Sequence, residues 1–265
     1  MTGPARCSSR RGDGGQKVVD ELLRSMAGRQ PYPLIFTTLS GAHHYGFPSP
    51  DSDFDLRGAH VLPAADVLGL FPPRETIEQS VHEGGRDLDI VTHDARKFFT
   101  LLLKRNGYVL EQVYSPLIVH TTPEHQELRT IAQACITRFH AQHYLGFVQT
   151  QWKLFEKQLG VKPLLYVYRV LFTGIHLMRT GEVQANLVTL NETFRLSHVG
   201  DLLAYKAAHA EKADMPNVDV EFHRGECARL TALLEQAQAE SRLPEVATAR
   251  PALSDLLIRL RQRSS

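Results

Sequence analysis

Apolar positions change their period about halfway along the chain. Residues 17–28, Lys-Val-Val-Asp-Glu-Leu-Leu-Arg-Ser-Met-Ala-Gly, carry helical spacing and stop at Gly28. Leu34 to Leu39 is a short run rich in Ile, Phe and Thr, and predicts a first strand ending at the Ser40-Gly41 turn. Phe54 to Val61 predicts a second strand, and the alternation Asp87-Leu88-Asp89-Ile90-Val91 a third. Between them, Pro63, Pro72 and Pro73 predict an irregular connection. Lys97 to Lys104, with Phe98, Phe99, Leu101, Leu102 and Leu103, predicts a largely buried helix packed on that sheet. From about residue 123 strand signals thin out and amphipathic helices follow one another to the C terminus. The expected architecture is α+β: a small sheet flanked by helices over 16–122, then an all-helical region over 123–265. The Gly-, Ser- and Arg-rich residues 1–15 lack an apolar signal core and read as a disordered leader.

Composition narrows this only a little. At 265 residues the chain is long enough for one large core or two modest ones. Lys and Arg number 30 against 29 Asp and Glu, so no global charge draws it to nucleic acid or an anionic membrane, and any basic surface must be local. No apolar run approaches a membrane span. Three widely spaced cysteines, Cys7, Cys135 and Cys227, imply no disulfide framework and a reduced, cytoplasmic setting.

The chemistry is concentrated in residues 40–58, Ser-Gly-Ala-His-His-Tyr-Gly-Phe-Pro-Ser-Pro-Asp-Ser-Asp-Phe-Asp-Leu-Arg-Gly. A strand leads into a glycine turn and a helix start, whose free N–H groups can hold phosphate oxygens. The next strand brings Asp53 and Asp55 two residues apart, on one face. Neighbouring carboxylates repel unless they share a cation. Asp87 or Asp89 on the following strand would join them, and three carboxylates can hold two divalent ions for an in-line displacement at phosphorus.

Gly41 through Asp55 resembles the Gly-Ser…Gly…Ser-Asp-x-Asp signature of the DNA polymerase β-like nucleotidyltransferase superfamily. The blocks Asp89-Ile-Val-Thr-His-Asp94-Ala-Arg96-Lys97-Phe and Asn106-Gly-Tyr-Val-Leu-Glu111-Gln-Val-Tyr-Ser115-Pro116 resemble a narrower bacterial and phage group linked to RNA repair. A weaker echo lies at Lys162-Pro-Leu-Leu-Tyr166-Val-Tyr-Arg169, and the resemblance spans roughly residues 30–180. It implies a polymerase β-like core and transfer of a nucleoside monophosphate from an NTP to an acceptor hydroxyl. ATP is the expected nucleotide, Mg²⁺ or Mn²⁺ the expected cofactor, and an RNA end the first choice of acceptor. Asp53, Asp55 and Asp89 are the implied catalytic metal ligands, Asp89 being preferred to Asp87 by its spacing to Asp94, Arg96 and Lys97. Gly41, Ala42, His43, Ser52, Lys162, Tyr166 and Arg169 are the implied nucleotide contacts, the last three on one helical face. Arg57 would position its strand or touch a phosphate. Ala42 departs from the signature, which has a serine hydroxyl there; losing one such hydrogen bond costs on the order of 1 kcal/mol.

Other residues read more simply. Asp94 is expected to cap a helix, Glu111 and Ser115 to stabilise a turn, and His140 and His143 to lie on a solvated helical face rather than bind zinc. Either His43 or His44 belongs near the ligand. Arg96, Lys97, Lys104 and Arg105 form the most compact basic cluster. Two competing functions remain: a non-catalytic nucleotide sensor, favoured by Ala42, and a toxin–antitoxin enzyme modifying a protein.

Overall fold

The computed structural model describes residues 13–83, 86–210, 215 and 218–263. Residues 1–12 of the leader expected over 1–15 lie outside them, and residues 13–15 belong instead to helix α1, which runs from Asp13 to Gly28. Strand β1 (Leu34–Leu39) leads through Ser40 into the short helix α2 (Gly41–Tyr45), and β2 (Phe54–His60) follows. Then come α3 (Ala64–Leu68), β3 (Thr76–Glu83), β4 (Arg86–Asp94), α4 (Ala95–Leu103), α5 (Gly107–Tyr114), β5 (Ile118–Thr121) and α6 (Pro123–Gln133). The remainder is helical: α7 (Ala141–Gln158), α8 (Val161–Thr180), α9 (Leu187–Phe194), α10 (Ser197–Ala208), α11 (Val220–Glu240) and α12 (Arg250–Arg263).

The five strands form one mixed sheet in the order β3-β4-β2-β1-β5. Only β2 and β4 run parallel; the other neighbours are antiparallel. The expected α+β architecture holds. The connection expected to be irregular contains β3, which pairs with β4 from Thr76↔His93 to Glu83↔Arg86. Its sequence, Thr-Ile-Glu-Gln-Ser-Val-His-Glu, is largely polar because it is an edge strand, and the prolines upstream hid it. The short β5, Ile-Val-His-Thr at the opposite edge, was missed because four residues, two exposed and two half-buried, are too few to show an alternation.

One face of the sheet packs on α1: Leu23 and Met26 close over Phe54, Leu56, Leu88 and Ile90. The other face packs on α4, where Phe98, Phe99 and Leu102 are buried, and this core continues without a break through α5, α6, α7 and α8 into the C-terminal helices. Helix α8 is buried nearly all round, which is the pattern of a central helix rather than an amphipathic one. Pro163 sits in its first turn, where its missing N–H costs nothing.

Asp94 caps α4 as its spacing suggested, accepting from the Arg96 N–H at 3.0 Å. It also accepts from the Leu62 N–H at 3.1 Å and pairs with Arg261 of α12 at 2.6 Å. The C-terminal helix is thereby tied to the sheet. His140, expected on a solvated face, is fully buried: it closes the turn Arg138–His140, with Nδ1 3.2 Å from the Thr137 N–H. Burial holds its ring down to about 4, so it is neutral at pH 7. The helix expected to carry both histidines begins at Ala141, one residue after His140.

Candidate active site

The carboxylates come together through strand register. β2 and β4 are parallel, and Asp55 stands opposite Asp89. The end of β1 lies beside them: the Ser40 N–H donates to the Asp55 carbonyl at 2.7 Å. Gly41 follows at φ +63°, and a Cβ added there would lie 2.3 Å from Asp55 Oδ2. Glycine is required here by the sign of φ and by the carboxylate seated against it. Asp53 is exposed, two residues earlier, while Asp55 and Asp89 are half-buried. Asp87 lies apart, exposed at the end of the β3–β4 hairpin and paired with His82 at 2.7 Å.

Arg57 threads this group. Its guanidinium donates to Asp55 Oδ1 at 2.7 Å, to the Asp89 carbonyl at 3.4 Å and to the Tyr108 hydroxyl at 3.1 Å. Burial works against its charge, but Tyr108 and Asp55 outweigh burial and hold it above its ordinary value. Among the described residues, no three His, Cys, Asp or Glu side chains are gathered closely enough to hold a metal ion. The donor set nevertheless fits a hard divalent cation in kind, being all carboxylate oxygen, and in backbone register. In the present arrangement Asp55 is turned to Arg57.

The turn expected to meet phosphate is built, with differences. Ser40 is the extended N-cap of α2, but its side chain makes no capping bond. Ala42 is buried in the main core, so a methyl packs where the signature has a hydroxyl. His43 stacks on Phe54 at 4.5 Å, on the rim. His44 is buried beneath, with Nδ1 3.2 Å from Ser115 Oγ. Burial, and then the charge of Arg169, pull it down to about 4, so it too is neutral at pH 7. Ser52 is buried and committed to its own loop: its Oγ accepts from the Ser49 N–H and meets Ser49 Oγ, both at 2.9 Å.

The helical face on α8 divides. Lys162, in the first turn, is half-buried. Tyr166 meets the rings of Tyr45 and Phe47 edge-on, each at 5.4 Å. Arg169, expected to meet the nucleotide, is turned into the interior. It is 2% exposed, its Nη1 lies 2.7 and 2.8 Å from the two Glu111 oxygens, and its guanidinium covers Tyr45 at 4.0 Å. Burial opposes its charge, and Glu111, ahead of Tyr45, overcomes burial and raises it. The spacing placed the three residues on one face correctly, but α8 dives into the core between its first and third turns. Glu111, expected to steady a turn, is the buried half of this ion pair on α5.

Two residues near the site were not anticipated. Tyr108 had no signal beyond its place after the Asn106 cap. Lys206 had one: it extends the apolar stripe Val199–Leu202 of α10, where a lysine is out of place. It is fully buried and donates to Ser49 Oγ at 2.8 Å, so a C-terminal helix grips the loop that ends at Asp53.

A mixed sheet with an acidic pair on adjacent parallel strands beside a glycine turn, backed by helices, is the architecture expected of the polymerase β-like nucleotidyltransferase fold. The chain belongs to the RNA repair pathway DNA polymerase beta family, whose sequence model matches residues 16–259. It is 31% identical over 154 residues to the uncharacterized protein MJ0002 of Methanocaldococcus jannaschii, covering 57% of this chain and 63% of that protein, under two thirds of its length. It is 26% identical over 243 residues to the uncharacterized protein YcgL of Bacillus subtilis, covering 86% and 90%. Among solved structures, a nucleotidyltransferase-like protein from Exiguobacterium sibiricum is similar at 12% identity and a TM-score of 0.33, over 85% of this chain and 75% of that one. Among the described residues, no helix is long and apolar enough to cross a membrane.

Proposed function

We propose that the protein transfers a nucleoside monophosphate from an NTP, ATP in the first instance, to the hydroxyl at an RNA end. The observation that carries this is the register that sets Asp55 beside Asp89, against the Gly41 turn. Asp53, Asp55 and Asp89 would hold Mg²⁺ or Mn²⁺, which when bound neutralises the triphosphate and makes the acceptor hydroxyl easier to deprotonate. The acceptor oxygen forms a bond to the α-phosphorus, the bond from that phosphorus to the bridging oxygen breaks, and pyrophosphate leaves. The hydroxyl proton passes to a carboxylate or to water. On this reading the Gly41 turn lets the phosphates approach the backbone, and Lys162 and the rim ring of His43 face the nucleotide. Arg57 orients Asp55 until a phosphate or a cation competes for one of them.

Incubation with α-³²P-labelled NTPs, Mg²⁺ or Mn²⁺ and a panel of RNA ends tests this. Label should appear in the acceptor, and Asp55→Asn should lower the rate by more than about a hundredfold, the most that loss of an outer-shell partner causes. No transfer with any NTP and metal, or transfer unaffected by Asp55→Asn, overturns it.

The buried methyl of Ala42 favours a second reading, a nucleotide sensor without turnover. Calorimetry separates the two: a sensor binds NTP tightly and returns it unchanged.

A further inference from the structure

A groove of about 510 Å³ lies between α4 and α12. Its floor is apolar, formed by Phe99, Leu103, Leu253 and Leu257. Its rim is cationic, with Arg96, Lys104, Arg105 and Arg250, and among the described residues no carboxylate lines it. The acidic residues nearest in sequence are engaged elsewhere: Glu245 with Arg138, Asp255 with Arg259. Arg96 shares its charge with Glu75. Lys104, Arg105 and Arg250 are exposed, and Arg105 also lies over the Phe139 ring at 4.9 Å. In a chain of net charge +1, a rim of one sign is a local feature, not a reflection of composition.

The groove also leads somewhere. Lys104 and Arg105 close α4 and line a second groove of about 410 Å³, with Asn106, Phe139 and His143. Three residues beyond Arg105, the Tyr108 hydroxyl accepts from Arg57, whose guanidinium holds Asp55. Neighbouring residues at the α4–α5 turn thus carry both the end of the cationic rim and the Tyr108 contact to Arg57.

We propose that this groove is the track on which single-stranded nucleic acid lies while its end is presented at Asp55 and Asp89. Phosphates meet the rim cations, bases lie on the apolar floor, and the strand follows α4, about 13 Å long at 1.5 Å per residue. What favours a nucleic acid over an acidic protein segment is the pairing of a cationic rim with an apolar floor, which suits phosphates and bases together. The proposal rests on the nucleotidyltransferase reading for its direction, but binding can be measured without turnover.

Fluorescence anisotropy with labelled 12-nucleotide RNA, and with DNA of the same sequence, tests it against Lys104→Gln/Arg105→Gln/Arg250→Gln. All three side chains are exposed, so the variant should fold, and an unchanged thermal midpoint would show that it does. The variant should bind at least tenfold more weakly, and its plot of log affinity against log salt should flatten by about 2, the counterions of three phosphate contacts on a single strand. A preference for RNA over DNA would assign the 2′-hydroxyl a part; equal binding would assign the track to the shared phosphate backbone. Unchanged affinity and salt slope in the variant would overturn the track even if nucleotide transfer occurs. Binding that depends on the three cations without any transfer would keep the track and overturn the enzymatic reading.

Discussion

On the rim of the sheet the charged groups face water and can exchange partners, whereas behind it the charged groups are sealed and cannot. Asp53, Asp55, Asp89 and Arg57 belong to the first region, where the Arg57–Asp55 pair is 18% and 29% exposed. Glu111, Arg169 and Lys206 belong to the second, at 2%, 2% and 0% exposure. Both regions hold the same short segment, from Ser40 to Asp55, one from the front and one from the back. The difference assigns chemistry to the rim and geometry to the interior. A buried charge without its partner is expensive, and that expense fixes the turn in place.

The largest test of this division is Arg169→Met. It leaves the Glu111 carboxylate buried without its partner, and unfolding in urea should show a loss of about 3–5 kcal/mol. Adding Glu111→Leu should recover most of that loss, since two apolar groups of similar volume can replace a buried pair. On the rim, Asp53→Ala should change stability by less than about 0.5 kcal/mol. If Arg169→Met costs no more than Asp53→Ala, the interior pair does not hold the turn and the division fails.

The rim was the more legible region. Asp53 and Asp55 stood out because identical charges at spacing two on a short strand are costly without a shared cation. Asp89 was preferred to Asp87 only through the resemblance, and the register that joins Asp55 to Asp89 follows from β2 and β4 being neighbours. The interior was nearly opaque. Arg169 looked like a phosphate ligand because spacing reports which face a residue occupies, not whether that face is turned to solvent. The partner that decides it, Glu111, lies 58 residues away. The contact between His44 and Ser115, 71 residues apart, was invisible for the same reason. Strand β3 was missed because an edge strand need not be apolar. The edge is where hydrophobic patterning carries least information.

A second test uses the buried histidines. His44 sits near 6.5 unfolded and at about 4 folded, because burial and then Arg169 disfavour its charge. Between those values the unfolded chain binds the extra proton. Its contribution is therefore complete above about pH 6.5 and is lost as pH falls toward 4, on the order of 3 kcal/mol in all. His60, His125 and His140, also held to about 4 by burial, act in the same window and direction. Urea midpoints should be flat near neutral pH and fall steeply between pH 6 and 4.5. His44→Gln should reduce that slope by about 1.4 kcal/mol per pH unit. An unchanged slope would mean that His44 is hydrated, and that the interior behind the turn is wetter than its packing implies.

A third test returns to the rim. The Arg57–Asp55 contact is part-exposed, so Arg57→Gln should cost less than about 1 kcal/mol of stability. Its consequence for cation binding has the opposite sign. Arg57 and a divalent ion compete for Asp55, and removing the guanidinium frees the carboxylate by as much as the pair was worth. Mn²⁺ binding to the nucleotide-free protein, followed by the EPR signal of the free ion, should therefore tighten by up to about fivefold, the equivalent of 1 kcal/mol. Arg57→Lys keeps the charge but not the fork, and should fall between the two. Tightening in both variants in that order would show that the rim trades partners as its exposure suggests. Weaker Mn²⁺ binding in Arg57→Gln would show instead that the guanidinium holds Asp55 in the rotamer the ion needs, making Arg57 part of the fixed scaffold and moving the boundary between the two regions one residue toward the water.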